Sequence, residues 1–295
     1  MKSKSVLIVG GSGFVGTHLS IRLRDEFKVF TTDFRQSRRI RGVTSLTMPL
    51  LKPEGIKATV LMTQADVVVY AAGSGGSKSS QEIEAINSSG ALSVLAASSL
   101  LGSKFIYLSS TQVFDGEKGG YRETDAPVPA DDIGKAKLAA ENGIKTRGLQ
   151  YLILRSSPVY GLGPASKPSF TDRILTDLSL GRPVELDDTE IHSFAPVESL
   201  VETIARSCSE EGARGVLHHG GGEACTALEM GRRLAERFGL PISLLRQKKS
   251  SDQSSEKRRD LTLNSSTASA LLKIQPLLLK QGFDLLEKQL LTHRT

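Results

Sequence analysis

A doubly wound α/β fold is what the sequence predicts: a parallel sheet with helices on both faces, followed by a smaller, mostly helical lobe. Three observations predict it. In residues 6–16, VLIVGGSGFVG, a short apolar run enters a cluster of glycines and leaves as a helical pattern carrying Leu19, Ile21 and Leu23. Strand-like and helix-like runs then alternate as far as Leu154, the rhythm of parallel strands joined by helical crossovers. After Ser156 that rhythm breaks, with Pro158, Gly161, Gly163, Pro164 and Pro168 interrupting regular structure. The expected division is therefore a sheet domain over 1–157 and a second lobe over 158–295, with some later segments returning to the first.

Residues 6–9 suit one buried strand. The spacing Gly10, Gly13, Gly16 puts a residue without a side chain where the backbone must turn sharply, where a pyrophosphate approaches, and where the helix packs on its strand. The free N–H groups of the helix's first turn then face the phosphates. Residues 28–32 form a second strand closing at Asp33, about 20 residues on, where a carboxylate accepts hydrogen bonds from an adenosine ribose. This strand–turn–helix context marks a dinucleotide-binding, or Rossmann, domain. A basic loop with Arg35, Arg38 and Arg39 follows, then a strand near 44–47 and a helix around 56–64. The run 67–70 is a strand that brings Ala71, Ala72 and a glycine–serine loop, 73–77, to the ligand edge of the sheet.

Residues 82–101 read as one long helix, and 104–108 as a strand ending in Ser109, Ser110 and Thr111. A helix starts near Asp131 or Asp132 and packs through Ala136, Leu138, Ala139 and Ile144; 151–154 is the next strand. In the second half, 170–180 looks helical and 182–186 extended, with helices at 198–209, 227–238, 266–272 and 281–291. The polar stretch 248–259 reads as a mobile loop. The cleft between the lobes is the expected substrate site.

Composition narrows the function classes. No apolar run approaches the ~20 residues that span a bilayer, and residues 1–4 lack the apolar stretch of a secretory signal. A cytoplasmic protein without membrane contact is expected. The net charge of +6 comes from clusters without interleaved aromatics, and there is no Trp, which argues against a nucleic-acid partner. Cys208 and Cys225 lack metal-ligand spacing and read as reduced structural thiols. His192, His218 and His219 form no metal pattern with carboxylates, so no metal site is expected.

In order and spacing, VGGSGFVG, DVVVYAAG, LSSTQVFDG, GKAKLAAE and LRSSPVYGLGP resemble the extended short-chain dehydrogenase/reductases, a family that includes nucleotide-sugar epimerases, dehydratases and dTDP-4-dehydrorhamnose reductases. HSFAPVESLVETI and GVLHHGGGEACTALEMGRRLAE are similar, more loosely, to that family's substrate lobe. The resemblance implies hydride transfer between a nicotinamide and a sugar carbon, with a tyrosine as acid/base, a serine or threonine orienting the carbonyl, and a lysine at the nicotinamide ribose. By position the hydroxyl is Ser110, with Thr111 an adjacent alternative, and the lysine is Lys137. The tyrosine's position, four residues before the lysine, is occupied by Ile133. Tyr160 and Tyr121 lie in loops that the resemblance places near the cleft, and Tyr160 is the expected substitute and substrate contact. His192 stands where relatives often carry an arginine for a substrate phosphate, and LTMPLL replaces the aspartate many relatives carry after the third strand.

The expected cofactor contacts are Gly10, Gly11, Ser12, Gly13, Phe14, Val15, Gly16, Asp33, Arg35, Ala71, Ala72, Gly73 and Lys137. Asp33 favours NAD, while Arg35, Arg38 and Arg39 favour NADP; the balance tips to NAD. Two functions follow. One is an NAD(P)-dependent reductase, epimerase or dehydratase on a nucleotide-sugar-like or other small carbonyl or hydroxyl substrate. The other, motivated by Ile133, is a dinucleotide-binding sensor or partner-binding protein without hydride chemistry. The resemblance also implies a homodimer through the helices at 82–101 and 132–146.

Overall fold

A computed structural model describes residues 4–33, 40–50, 52–74, 78–147, 150–165, 167–248 and 258–292. Its centre is a sheet of seven strands: β1 (Ser5–Val9), β2 (Lys28–Asp33), β3 (Val43–Thr47), β4 (Val67–Tyr70), β5 (Lys104–Ser110), β6 (Tyr151–Ser156) and β7 (Gly215–His219). They lie in the order β7-β6-β5-β4-β1-β2-β3, and every pairing is parallel. The chain lays β2 and β3 on one side of β1 and then crosses to the other, so a crevice opens between β1 and β4 at their carboxyl ends. All five residues of β1 and all four of β4 are buried. That follows from layers on both faces, which demand continuous apolar runs in place of alternation.

One face is covered by α1 (Phe14–Leu23), the other by α2 (Pro53–Thr63), α3 (residues 80–99) and α4 (Asp132–Lys145). The helix expected at 82–101 is interrupted: α3 is helical over Ser80–Glu84 and Gly90–Ser99, with a π turn at Ala85–Ser89 between them. Two buried hydroxyls account for it. Tyr70 Oη donates to the Ile86 carbonyl at 2.5 Å and Tyr107 Oη to the Asn87 carbonyl at 2.6 Å. The widened turn offers those carbonyls to partners outside the helix, as buried hydroxyls require.

Beyond β6 the second lobe packs α5 (Phe170–Ser179), α7 (Ala227–Arg237) and α9 (Leu279–Thr292) around Ile174, Leu178, Leu228, Leu234, Phe283 and Leu286. Three later segments belong to the sheet domain instead. α6 (Val197–Ser209) packs Val197, Leu200, Val201 and Ile204 into the core that α1 shares, and β7 extends the sheet beside β6. α8 (Ser266–Leu272) adds Ala268 and Leu272 to the same core. Cys208 and Cys225 are free and buried, and burial pushes their thiols up to about 12 and about 11. The polar stretch 249–257 and the arginines Arg35, Arg38 and Arg39 lie outside the described residues. Among the described residues no helix is long and apolar enough to cross a membrane.

Candidate active site

At the carboxyl ends of β1, β2 and β4 lies a cavity of about 880 Å³, walled on one side by Gly10, Ser12, Gly13, Phe14 and Val15. Gly10 has a φ of +92°, and a β-carbon there would stand 2.8 Å from the Ala72 backbone. At Gly16 a β-carbon would stand 2.1 Å from the Gly10 carbonyl oxygen. Gly16 therefore lets α1 close on the turn, and Gly11 lets the turn close on Thr31; neither lines the cavity. α1 starts after Gly13 with no side-chain cap and no acidic residue in its first turn. Its leading N–H groups remain available to an anion.

Asp33, 5% exposed, faces the same cavity. Its Oδ1 accepts a hydrogen bond from the Ser12 N–H at 2.6 Å, so the acidic residue is tied to the glycine turn it serves. Across the cavity, Met48, Leu50, Ala85 and Ile86 form an apolar wall. Arg35 lies outside the described residues. The structure adds Lys78 and Lys167 to the lining. Lys78 pairs with Glu82 at 3.4 Å, whereas Lys167 has no ion-pair partner among the described residues. Its loop comes from the second lobe and is pinned to α1 by a 2.7 Å contact between His18 Nε2 and the Leu162 carbonyl. A lone lysine in a proline- and glycine-rich loop carries no sequence pattern that would have singled it out.

A cleft of about 510 Å³ continues from Ala71, Ala72 and Gly73 and brings Ser110, Thr111, Ile133, Lys137 and His192 together. Ser110 ends β5 and is held by its own turn: Oγ accepts from the Gln112 N–H at 3.2 Å, and Gln112 Nε2 donates to Asp131 Oδ2 at 3.0 Å. Asp131 also caps α4 through Gly134 N–H at 2.7 Å, so the hydroxyl and the helix bearing Lys137 are fixed to one another. Lys137 is 7% exposed; its Nζ donates to the Leu108 carbonyl at 2.8 Å and lies 4.9 Å from the centre of the Tyr107 ring. Burial pushes its ammonium down to about 8, with Glu141 pulling the other way.

Neither expected tyrosine reaches this cleft. Tyr160 is 1% exposed and packs edge-to-face on Phe283 at 5.8 Å in the core of the second lobe, its hydroxyl without a partner among the described residues. Its strand is a two-residue pair with Ala195–Pro196 that turns the ring away from the sheet. Tyr121 stacks on Phe114 at 4.1 Å and donates to Asp115 at 2.5 Å, fixing a turn. Ile133, at the position that the resemblance gives to the tyrosine, lines the cleft.

Beyond Val159 the cleft runs into a pocket of about 240 Å³ bordered by Phe170, Asp187, Glu190, His192 and Phe194. His192 Nε2 bonds Glu190 Oε2 at 3.1 Å, and Arg259 holds the other carboxylate oxygen. The His192 contact, helped by Arg259 against burial, holds Glu190 down to about 2. Because a carboxylate only accepts, His192 donates from Nε2, and its buried Nδ1 has no partner among the described residues. Behind Ser109, Arg155 grips Glu141 with two bonds of 2.9 and 2.6 Å, and Ser109 donates to the same carboxylate at 2.7 Å. Burial opposes ionisation of Glu141, but the guanidinium and the hydroxyl outweigh it and keep the carboxyl below the usual range. His218 completes the network: its Nδ1 donates to the Tyr121 carbonyl at 3.0 Å, leaving Nε2 to face Arg155 at 3.4 Å. Among the described residues no group of His, Cys, Asp and Glu is placed to hold a metal ion.

Residues 4–281 match the family model described as RmlD substrate binding domain. Among curated proteins, methionine adenosyltransferase 2 subunit beta of Bos taurus is 31% identical over 166 residues, covering 55% of this chain and 49% of that protein. The chain thus spans about half the length of that relative. The dTDP-4-dehydrorhamnose reductase of Mycobacterium tuberculosis (strain H37Rv) is 26% identical over 231 residues, 75% of this chain and 71% of that one. A crystal structure of dTDP-4-dehydrorhamnose reductase from Bacillus anthracis in complex with NADP superposes with a TM-score of 0.83, covering 98% of this chain and 100% of that one at 19% identity. It shows the same fold.

Proposed function

Because the chain belongs to the RmlD substrate binding domain family, we propose that it is an NAD(P)-binding reductase of the extended short-chain dehydrogenase/reductase type, acting on a nucleotide-sugar-like or other small carbonyl or hydroxyl substrate. The observation that carries this reading is the continuity of the cleft. The uncapped start of α1 and the Asp33 carboxylate open onto one cavity, and Ala71–Gly73 form the shared wall between it and the cleft holding Ser110 and Lys137. A dinucleotide fits these groups: N–H donors and Lys167 for its phosphates, Asp33 for its adenosine ribose, the Met48–Leu50 wall for its base, and Lys137 for its second ribose. Asp33 tips the preference to NAD over NADP. When bound, a nicotinamide supplies hydride chemistry; Ser110 orients the substrate oxygen and His192 accepts a hydrogen bond from a substrate hydroxyl.

The reading extends to a cytoplasmic homodimer. α3 and α4 lie side by side and leave Ala96, Ala139 and Asn142 exposed, a face that admits a second copy; light scattering on the purified chain measures it. The test of the function is nicotinamide absorbance on mixing the chain with NADH or NADPH and dTDP-4-dehydrorhamnose. Oxidation of either supports the reductase. Binding without turnover, for this probe and a panel of sugar nucleotides and small ketones, supports the second reading, a dinucleotide-binding subunit of a larger assembly. Ile133 favours that alternative, as does a curated relative whose name is that of an enzyme subunit.

A further inference from the structure

Two lysines of the sheet domain are buried, and they differ in what holds them. Lys104 is spent: its Nζ donates to the Ser207 carbonyl at 2.7 Å and to the Glu210 carbonyl at 2.8 Å, closing the end of α6. Among the described residues Lys137 has a single acceptor, the Leu108 carbonyl, and it lines the cleft. An ammonium has three donors, so it keeps N–H bonds for whatever enters. Ile133, one turn earlier on the same helix, faces the same space and offers no proton.

Elimination points the same way. The titratable side chains among the described residues lining this cleft are Lys137, Glu190 and His192. Glu190 and His192 are bound to one another and border the outer pocket, away from the end shared with the dinucleotide cavity. Lys137 stands at the inner end, since the carbonyl it holds is on β5, next to the β4 strand that leads into Ala71. The hydroxyls of Ser110 and Thr111 are too weakly acidic to yield a proton near neutrality. Tyr160 and Tyr121 are turned into other cores.

We propose that the Lys137 ammonium, standing in for the absent tyrosine, supplies the proton to a substrate carbonyl oxygen oriented by Ser110. The inference rests on the reductase reading above. The carbonyl carbon takes a hydride with its electron pair from a reduced nicotinamide; the C=O π pair moves to oxygen, which forms an O–H bond as one N–H bond of Lys137 breaks. The neutral amine regains a proton from water. The groups facing Lys137 set its titration: Tyr107 beneath it, Glu141 one turn on with Arg155 behind, and Glu190 and His192 across the cleft. Loss of water around the ammonium dominates and brings it to about 8, a useful strength for an acid working near neutral pH. The protonated form is the working one in reduction, so the rate should fall as pH rises through about 8.

The experiment has two arms. In the cofactor-free wild-type chain carrying 13Cε-lysine, the NMR signal that disappears in Lys137→Arg should titrate near 8; a midpoint at the ordinary lysine value of about 10.4 overturns the proposal. With dTDP-4-dehydrorhamnose as probe, Lys137→Gln should lower kcat at least about 100-fold while calorimetric NAD(P)H affinity changes less than about tenfold, and Ile133→Tyr in that background should restore most of the loss. A Lys137→Gln variant that loses affinity but keeps kcat overturns the proposal, because the residue then only holds the cofactor. If wild type is silent and Ile133→Tyr is active, the proton-donor role falls while the reductase reading of the cleft stands. If neither turns over although calorimetry shows dinucleotide bound, both fall.

Discussion

The glycine-turn cavity and the cleft that continues from it are built from different materials. The first is mostly backbone: Gly10 and Gly13, the leading N–H groups of α1, and a single carboxylate, Asp33, tied back to the turn by Ser12. The second is mostly side chains, Ser110, Lys137, Glu190 and His192, each held by one or two hydrogen bonds. A backbone site fails only when the chain can no longer approach itself. A side-chain site can lose one functional group in a single substitution while the surrounding contacts persist, and Ile133 stands at such a position. The proposed binding and the proposed catalysis can therefore be separated by experiment.

Breaking the backbone end should have the largest effect. Gly16→Val places its β-carbon 2.1 Å from the Gly10 oxygen; we expect dinucleotide binding to fall beyond detection by calorimetry, with a thermal melt lowered as well, since neither backbone can yield. Behind the side-chain end, Glu141→Ala leaves Arg155, 1% exposed, without its carboxylate. Urea unfolding should show a loss of about 3–5 kcal/mol. A loss below about 1 kcal/mol would mean that water reaches the guanidinium.

Smaller changes sharpen the division. Asp33→Ala removes a charged acceptor and should weaken NAD about 10- to 100-fold in a calorimetric titration, with NADP affected less because the repulsion of a 2′-phosphate disappears too. Lys167→Ala removes an exposed cation at the rim and should weaken either dinucleotide about two- to fivefold, an effect that fades as salt is raised. Equal losses at low and high salt would place Lys167 outside the phosphate region.

Much of this was legible in the sequence, and the reason follows the same division. Backbone recognition leaves a fixed spacing of glycines because no other residue fits, so the turn, Asp33 and the strand ends at Ala71 and Ser110 could be read directly. Lys137 and the absence at Ile133 were legible only through the family resemblance, which sets a tyrosine four residues before a lysine on one helix. The π turn in α3 was not, since it answers to Tyr70 and Tyr107 on strands far away in sequence. β7 was hidden by His218 and His219, polar letters that read as ordinary polar positions until Tyr121 and Thr203 are seen to bond their Nδ1 atoms. Tyr160 was misplaced towards the cleft because a tyrosine in a loop looks available; the two-residue strand that turns it onto Phe283 has no sequence mark.

The central claim is that the glycine-turn cavity holds a nicotinamide dinucleotide whether or not the cleft beyond it is catalytic. Calorimetric titration of the unmodified chain with NAD and with NADP tests it directly. The account predicts saturable binding of at least one of them at one site per chain, weakened by Asp33→Ala and abolished by Gly16→Val. The absence of saturable binding for both, on a chain shown to be folded, would contradict it.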